Sequence, residues 1–152
     1  MYFKEFLRQF SDKKIKVFVD MDGVIADYIV GMPKDYHKKR PLFDSIKKLK
    51  EVSILPNIEL YFFSSSRYNE GIEQKNKWLD KYAPFFKKEN RIILSRQASN
   101  MVKSSVLKAN FLKDYESDGS IIIVIDDDPR VLQEIKSVNK GIVLLKETVL
   151  ID

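Results

Sequence analysis

Short apolar runs alternate along this chain with stretches whose apolar positions recur at helical spacing. Phe3, Phe6, Leu7 and Phe10 predict an amphipathic helix over residues 2–11. An apolar run at 15–19, broken by one Lys, then leads into the acidic segment DMDG and reads as a buried strand entering a loop. Pro41 suits a helix start, and Leu42, Ile46 and Leu49 carry that helix to about Val52. Residues 58–63 form a second strand. After SSSR, Ile72, Trp78, Leu79 and Tyr82 share one helical face, with Pro84 as the stop signal.

Residues 91–94 read as a third strand. Ser99 or Asn100 can cap the next helix, which carries Val102, Val106, Leu107, Phe111 and Leu112 on one side. The most apolar run, 120–125, predicts a strand buried on both faces, and it ends in DDDP. Pro129 opens a helix through about Val138, with Asp128 as its N-cap, and residues 141–145 make a fifth strand. Strands alternating with helices of this length imply parallel pairing. The expected fold class is therefore α/β, a three-layer sandwich with a five-stranded parallel Rossmann-like sheet in a single domain over 1–152. Residues 28–40 lack periodicity and are expected to form a flap.

Composition narrows the chemistry. The 152 residues fit one domain of ordinary size, and the absence of Cys excludes disulfides, thiolate metal sites and cysteine nucleophiles. His37 is the single imidazole, so a multi-histidine metal site is excluded and His37 itself is expected to be an ordinary exposed residue. The net charge of +5 tilts the expected ligand toward phosphate. No run approaches the roughly 18 apolar residues that a membrane span requires. The start mixes both charge signs without the apolar stretch of a signal peptide, so the expected location is cytoplasmic.

In parallel sheets ligands bind beyond the carboxyl ends of the strands. The first strand delivers Asp20, Asp22 and Gly23 there; the second delivers Ser64, Ser65 and Arg67; the third, Ser95 and Arg96; the fourth, Asp126, Asp127 and Asp128. Lys103 lies near the start of the following helix on the same rim, with Lys108 as the other candidate on that helix. Carboxylates this close repel one another unless a divalent cation sits among them, and hydroxyls, lysine and arginines suit a phosphate, so the composition is that of a magnesium and phosphate site.

In this reading Asp20 is the nucleophile and a metal ligand, and Asp22 is the general acid, then base. Gly23 lets the backbone turn beneath the phosphate. Ser64 or Ser65 bonds a nonbridging oxygen, with Ser64 favoured because it directly follows the strand. Lys103 or Lys108 neutralises charge, with Lys103 favoured. Asp126, alone or with Asp127, completes the metal shell. Arg67, Arg96 and Arg130 are candidates for phosphate or backbone contacts.

These four segments, VFVDMDGVIADY, LYFFSSSR, MVKSSVL and IIIVIDDDP, resemble in order the four motifs of the haloacid dehalogenase (HAD) superfamily of phosphohydrolases. The likeness extends from about residue 15 to 145. It implies an aspartyl-phosphate intermediate at Asp20, acid/base action by Asp22, and Mg2+ held by Asp20, the Asp22 backbone carbonyl and Asp126. DMDGVIADY is similar to the opening of 5'(3')-deoxyribonucleotidases. The Ser-x-Arg after strand two, the Trp-bearing helix and the later acidic pair resemble the phosphatase domains of phage polynucleotide kinase-phosphatases. Only about 30 residues separate Tyr28 from strand two, so a full helical cap does not fit and the domain is expected to be capless or to carry a minimal flap.

Capless members of the superfamily usually act on large substrates or oligomerise, so an oligomer is possible and a phosphorylated nucleic-acid end is the expected partner. Polynucleotide 3'-phosphatase activity is placed ahead of deoxynucleotidase activity on mononucleotides. A phosphorylation-dependent receiver is disfavoured because the third strand ends in Ser95-Arg96 rather than an acid. A non-catalytic phosphate or nucleic-acid-binding module is disfavoured because bare carboxylates oppose phosphate binding.

Overall fold

The computed structural model describes residues 2–28, 36–115 and 117–151. Its sheet has five parallel strands in the order β3-β2-β1-β4-β5: β1 (Ile15–Val19), β2 (Ile58–Ser66), β3 (Arg91–Ser95), β4 (Ile121–Ile125) and β5 (Val143–Leu145). The helices are α1 (Phe3–Arg8), α2 (Phe43–Ser53), α3 (Glu70–Tyr82), α4 (Ser104–Lys113) and α5 (Pro129–Val138).

Because side chains alternate along a strand, each strand supplies both faces of the sheet. Val17, Val19, Phe62 and Ile123 pack with Phe3, Leu49, Trp78 and Leu79 of α1, α2 and α3. Phe18, Phe63, Ile122 and Val124 pack on the opposite face with Ala109 and Leu112 of α4 and Val131 and Ile135 of α5. The α/β three-layer, Rossmann-like architecture expected from the periodicity is the one observed.

Several boundaries differ for identifiable reasons. β2 runs three residues past Phe63, so Ser64, Ser65 and Ser66 belong to the strand; β3 pairs alongside and carries the ladder through Ser66. Neither Ser99 nor Asn100 caps α4. Residues Gln97–Ser99 form a 3-10 turn, Asn100 and Met101 take left-handed φ values of 55° and 59°, and the helix begins at Ser104 with Lys103 in the N-cap position. Pro41 precedes α2 in an isolated antiparallel bridge with Ala26 rather than starting the helix. Pro129 does open α5, and the Asp128 carboxylate accepts the Arg130 backbone N–H at 2.9 Å.

The central part of the expected flap, residues 29–35, lies outside the described residues. The remainder is docked: a 3-10 turn at Tyr36–Lys38 leads to Lys39, whose carbonyl accepts the Trp78 Nε1 hydrogen bond at 2.8 Å. His37 is exposed. Among the described residues no helix is long and apolar enough to cross a membrane.

Candidate active site

Register assembles the centre of the site. Val19 pairs with Ile125, and the ladder continues as the Asp20 N–H donates to the Ile125 carbonyl at 3.0 Å, so Asp20 and Asp126 leave adjacent strands side by side. Alternation puts Asp20 on the Phe18 face and Asp126 on the Val124 face, both toward α4. Lys108 rises from α4 between them. Its Nζ lies 2.9 Å from Asp20 Oδ1 and 2.7 Å from Asp126 Oδ2, and it is 3% exposed.

Asp20, Asp126 and Asp127 each offer a carboxylate oxygen, all within 4.8 Å of one another. Burial pushes the Asp20 carboxyl up to about 7, against the pull of Lys108 and with further repulsion from Asp126 and Asp22. Asp127 is pushed up to about 6 by burial and by Asp20. Burial also raises Asp126, with Lys108 pulling the other way. This is a donor set of hard oxygens holding more negative charge than one lysine neutralises, and it fits a divalent cation such as magnesium. Gly23 is required by the same crowding. Its φ is +77°, and a Cβ there would lie 2.1 Å from Asp127 Oδ2.

The two serine candidates face opposite layers. Ser65 follows Phe63 on the α4 side, where its Oγ donates to Ser104 Oγ at 2.7 Å. Ser64 follows Phe62 on the α3 side and accepts from Lys75 Nζ at 2.6 Å. Both line a cavity of about 430 Å³ together with Asp20, Asp22, Lys108, Asp126, Asp127, Tyr28 and Arg130.

The remaining expected residues are placed less centrally. Lys103 is exposed at the start of α4 and lines a neighbouring groove of about 740 Å³ with Arg96; Lys108 occupies the position that the favoured reading gave to Lys103. The physical reason is the later helix start: Lys103 precedes the first turn, whereas Lys108 sits one turn into α4 above the acids. Arg96 donates to the carbonyls of Val102 and Met101, which fixes the loop before α4. Arg130 lines both cavities and pairs with Asp128 at 3.1 Å. Arg67 is exposed and lies over the Tyr68 ring, outside both cavities.

Two residues at the site were not expected there from the sequence: Lys75, and Lys39, whose cluster Lys38-Lys39-Arg40 reads as a solvated face flanking the flap. Lys75 is fully buried, donates to Ser64 Oγ and to the Ser65 carbonyl at 2.7 Å, and lies 3.9 Å from Asp22 Oδ2. Burial pushes its ammonium down to about 8, partly offset by Asp22 and Asp20. Lys39, 4% exposed, places its Nζ 2.5 Å from Asp22 Oδ1. Lys75 carried a readable signal, since it lies one turn from Gly71, Trp78 and Leu79 on the inward stripe of α3. Lys39 lies in an irregular segment and carried none.

No family model and no curated protein sequence matches the chain. Solved structures do match in fold. A chain of the Pnkp1/Rnl/Hen1 RNA repair complex aligns with a TM-score of 0.68 at 14% identity, over 89% of this chain and 42% of that one, so this chain spans under half the length of that relative. The HAD domain of the effector protein Lem4 from Legionella pneumophila aligns with a TM-score of 0.55 at 14% identity, over 88% of this chain and 84% of that one. The inactive mutant of the same domain aligns with a TM-score of 0.57. With paired acids at the carboxyl edge of a parallel 3-2-1-4-5 sheet, the chain has the HAD-like fold.

Proposed function

We propose that this chain is a magnesium-dependent phosphomonoester hydrolase working through an aspartyl-phosphate at Asp20, on phosphorylated nucleic-acid ends. The observation that carries the reading is that the β1–β4 register, ending at Val19 and Ile125, sets Asp20 and Asp126 side by side against one buried lysine, with Asp127 beside them. A structural ion pair needs one carboxylate for one lysine; three carboxylates at this spacing suit a cation and a phosphoryl group.

Asp20 Oδ attacks phosphorus as the ester oxygen departs, and that oxygen takes a proton from Asp22. Water then attacks the phosphoryl group and gives its proton to Asp22, while the bond from Asp20 to phosphorus breaks, which restores both carboxyls. Lys108 neutralises charge shared by Asp20 and the phosphoryl oxygens, and Ser65, which faces the same layer, is placed to donate to one of those oxygens. Asp20, Asp126 and Asp127, with the Asp22 backbone carbonyl, would hold the ion. When bound, the ion supplies charge neutralisation for the attacking carboxylate and the phosphoryl oxygens.

The catalytic cavity opens beside a second groove that shares Tyr28, Ser104, Asp128 and Arg130 with it. This continuity supports a substrate longer than one nucleotide, as does the likeness to a chain of an RNA repair complex. The test is phosphate release, with magnesium and with EDTA, from a 3'-phosphorylated oligonucleotide and from 3'- and 5'-mononucleotides. Magnesium-dependent release that is faster from the oligonucleotide is expected, with loss of about four orders of magnitude in Asp20→Asn. Retained turnover in that variant would sink the mechanism. Preference for mononucleotides would make the chain a nucleotidase.

A further inference from the structure

Asp22 sits on a loop after β1, where nothing in the strand ladder limits rotation of its side chain. An acid/base carboxyl must nevertheless be held in one place, because proton transfer requires hydrogen-bond distance to the leaving oxygen. The segment that returns toward α2 supplies the constraint. Its backbone is tied on both sides: the Lys39 carbonyl accepts from Trp78 Nε1 at 2.8 Å, and the Arg40 carbonyl accepts from the Asp27 N–H at 2.8 Å. Leu42 N–H then donates to the Ile25 carbonyl at 2.8 Å. From this anchored position the buried Lys39 side chain passes Tyr36 and Tyr28, whose ring centroids lie 5.5 and 5.7 Å from Nζ, and reaches Asp22.

We infer that Lys39 is a positioning residue for Asp22, holding its carboxyl on the α3 side of the site through the 2.5 Å contact to Oδ1. The inference rests on the proposed hydrolase reading. Energetics favours a functional role over incidental packing. Lys39 is buried near Lys75, and the two ammonium groups repel, which adds to the depression of Lys75. A lysine held there against repulsion keeps its head group on the acid/base candidate and fixes where that carboxyl points. The placement also fits a domain with little chain available for a cap, since the constraint comes from inside the domain.

The test separates positioning of an acid from general support of the site. An alkyl phosphate needs a proton on its departing oxygen, whereas 4-nitrophenyl phosphate leaves as a stabilised phenolate and does not. In Lys39→Met, kcat/KM for a 3'-phosphorylated oligonucleotide is expected to fall about tenfold to a hundredfold, the cost of misplacing a reacting group by about 1 Å. For 4-nitrophenyl phosphate it is expected to fall less than about threefold. Lys39→Arg should recover most of the alkyl activity. In an Asp22→Asn background, Lys39→Met should add no further loss, because both changes act on one step.

Equal losses on both substrates, no loss on either, or an additive loss in the Asp22→Asn background would each overturn the inference. If the unsubstituted protein cleaves neither substrate with magnesium, the hydrolase reading fails and takes the inference with it. If it cleaves both and only the Lys39 pattern is wrong, the hydrolase reading stands.

Discussion

Lys108 and Lys75 are equally buried lysines on opposite faces of the same sheet, and their ammonium groups shift in opposite directions. Burial pushes both down. Lys108 lies against Asp20 and Asp126, whose attraction outweighs burial and holds it above the usual lysine value. Lys75 binds the neutral Ser64 Oγ and Ser65 carbonyl, with Asp22 no closer than 3.9 Å, and falls to about 8. The character of a buried cation is thus set by the charge of its nearest oxygens. Desolvation alone does not determine it.

The largest expected effect breaks this comparison directly. Removing the Lys108 charge in Lys108→Met leaves two buried carboxylates facing each other, and the metal-free protein at pH 8 should lose about 3–5 kcal/mol in urea unfolding. Lys75→Met removes a charge whose hydrogen-bond partners are neutral, with Asp22 at 3.9 Å, and should cost only about 1 kcal/mol. Equal losses in the two variants would show that partner charge does not distinguish these lysines.

Next in size is the response to pH. Folded Asp20 and Asp127 hold protons to about 7 and about 6, above their ordinary value of 3.8. Between about pH 4 and 7 the folded state therefore binds protons that the unfolded state has released, and stability falls as pH rises. Lys75 gives a rise in stability with pH, but only between about 8 and 10.5. Metal-free Tm is expected to drop by several degrees from pH 5 to 8, and the gain in Tm on adding magnesium should grow over the same window. A magnesium gain independent of pH would argue against binding at these carboxylates.

The smallest effect concerns Lys103, which competed with Lys108 for the same role. Exposed at the start of α4, it should change stability by less than about 0.5 kcal/mol in Lys103→Ala. Turnover of 4-nitrophenyl phosphate should stay within about twofold of the unsubstituted chain. A collapse of that turnover would return the motif lysine to Lys103.

These lysines also mark how far a sequence reading reaches. The alternation of strands and helices, the parallel sheet and the acids at its carboxyl edge follow from apolar periodicity, which burial imposes along the whole chain. Pro129 and Asp128 were legible because helix initiation is a local event. The choice between Lys103 and Lys108 was not, because it depended on where α4 begins, and a left-handed pair at Asn100 and Met101 delays that start. Ser64 and Ser65 are adjacent candidates in the sequence, and only the continuation of β2 through Ser66 sends one hydroxyl toward each layer. Lys39 reads from the sequence as part of a solvated basic cluster, yet it is buried. A lysine in an irregular segment looks solvated until tertiary contacts from Trp78 draw it inward.

The β1–β4 register that leaves Asp20 beside Asp126 also constrains folding. Slipping β1 by one residue against β4 would bring Met21 opposite Asp126 and turn the Asp20 carboxylate toward the α1 side, because alternate residues point to alternate faces. A form with β1 misregistered against β4 therefore cannot assemble the three carboxylates. Divalent-ion affinity becomes a gauge of correctly aligned protein: in a refolding experiment it should return in step with native strand pairing, and after the first compaction of the chain.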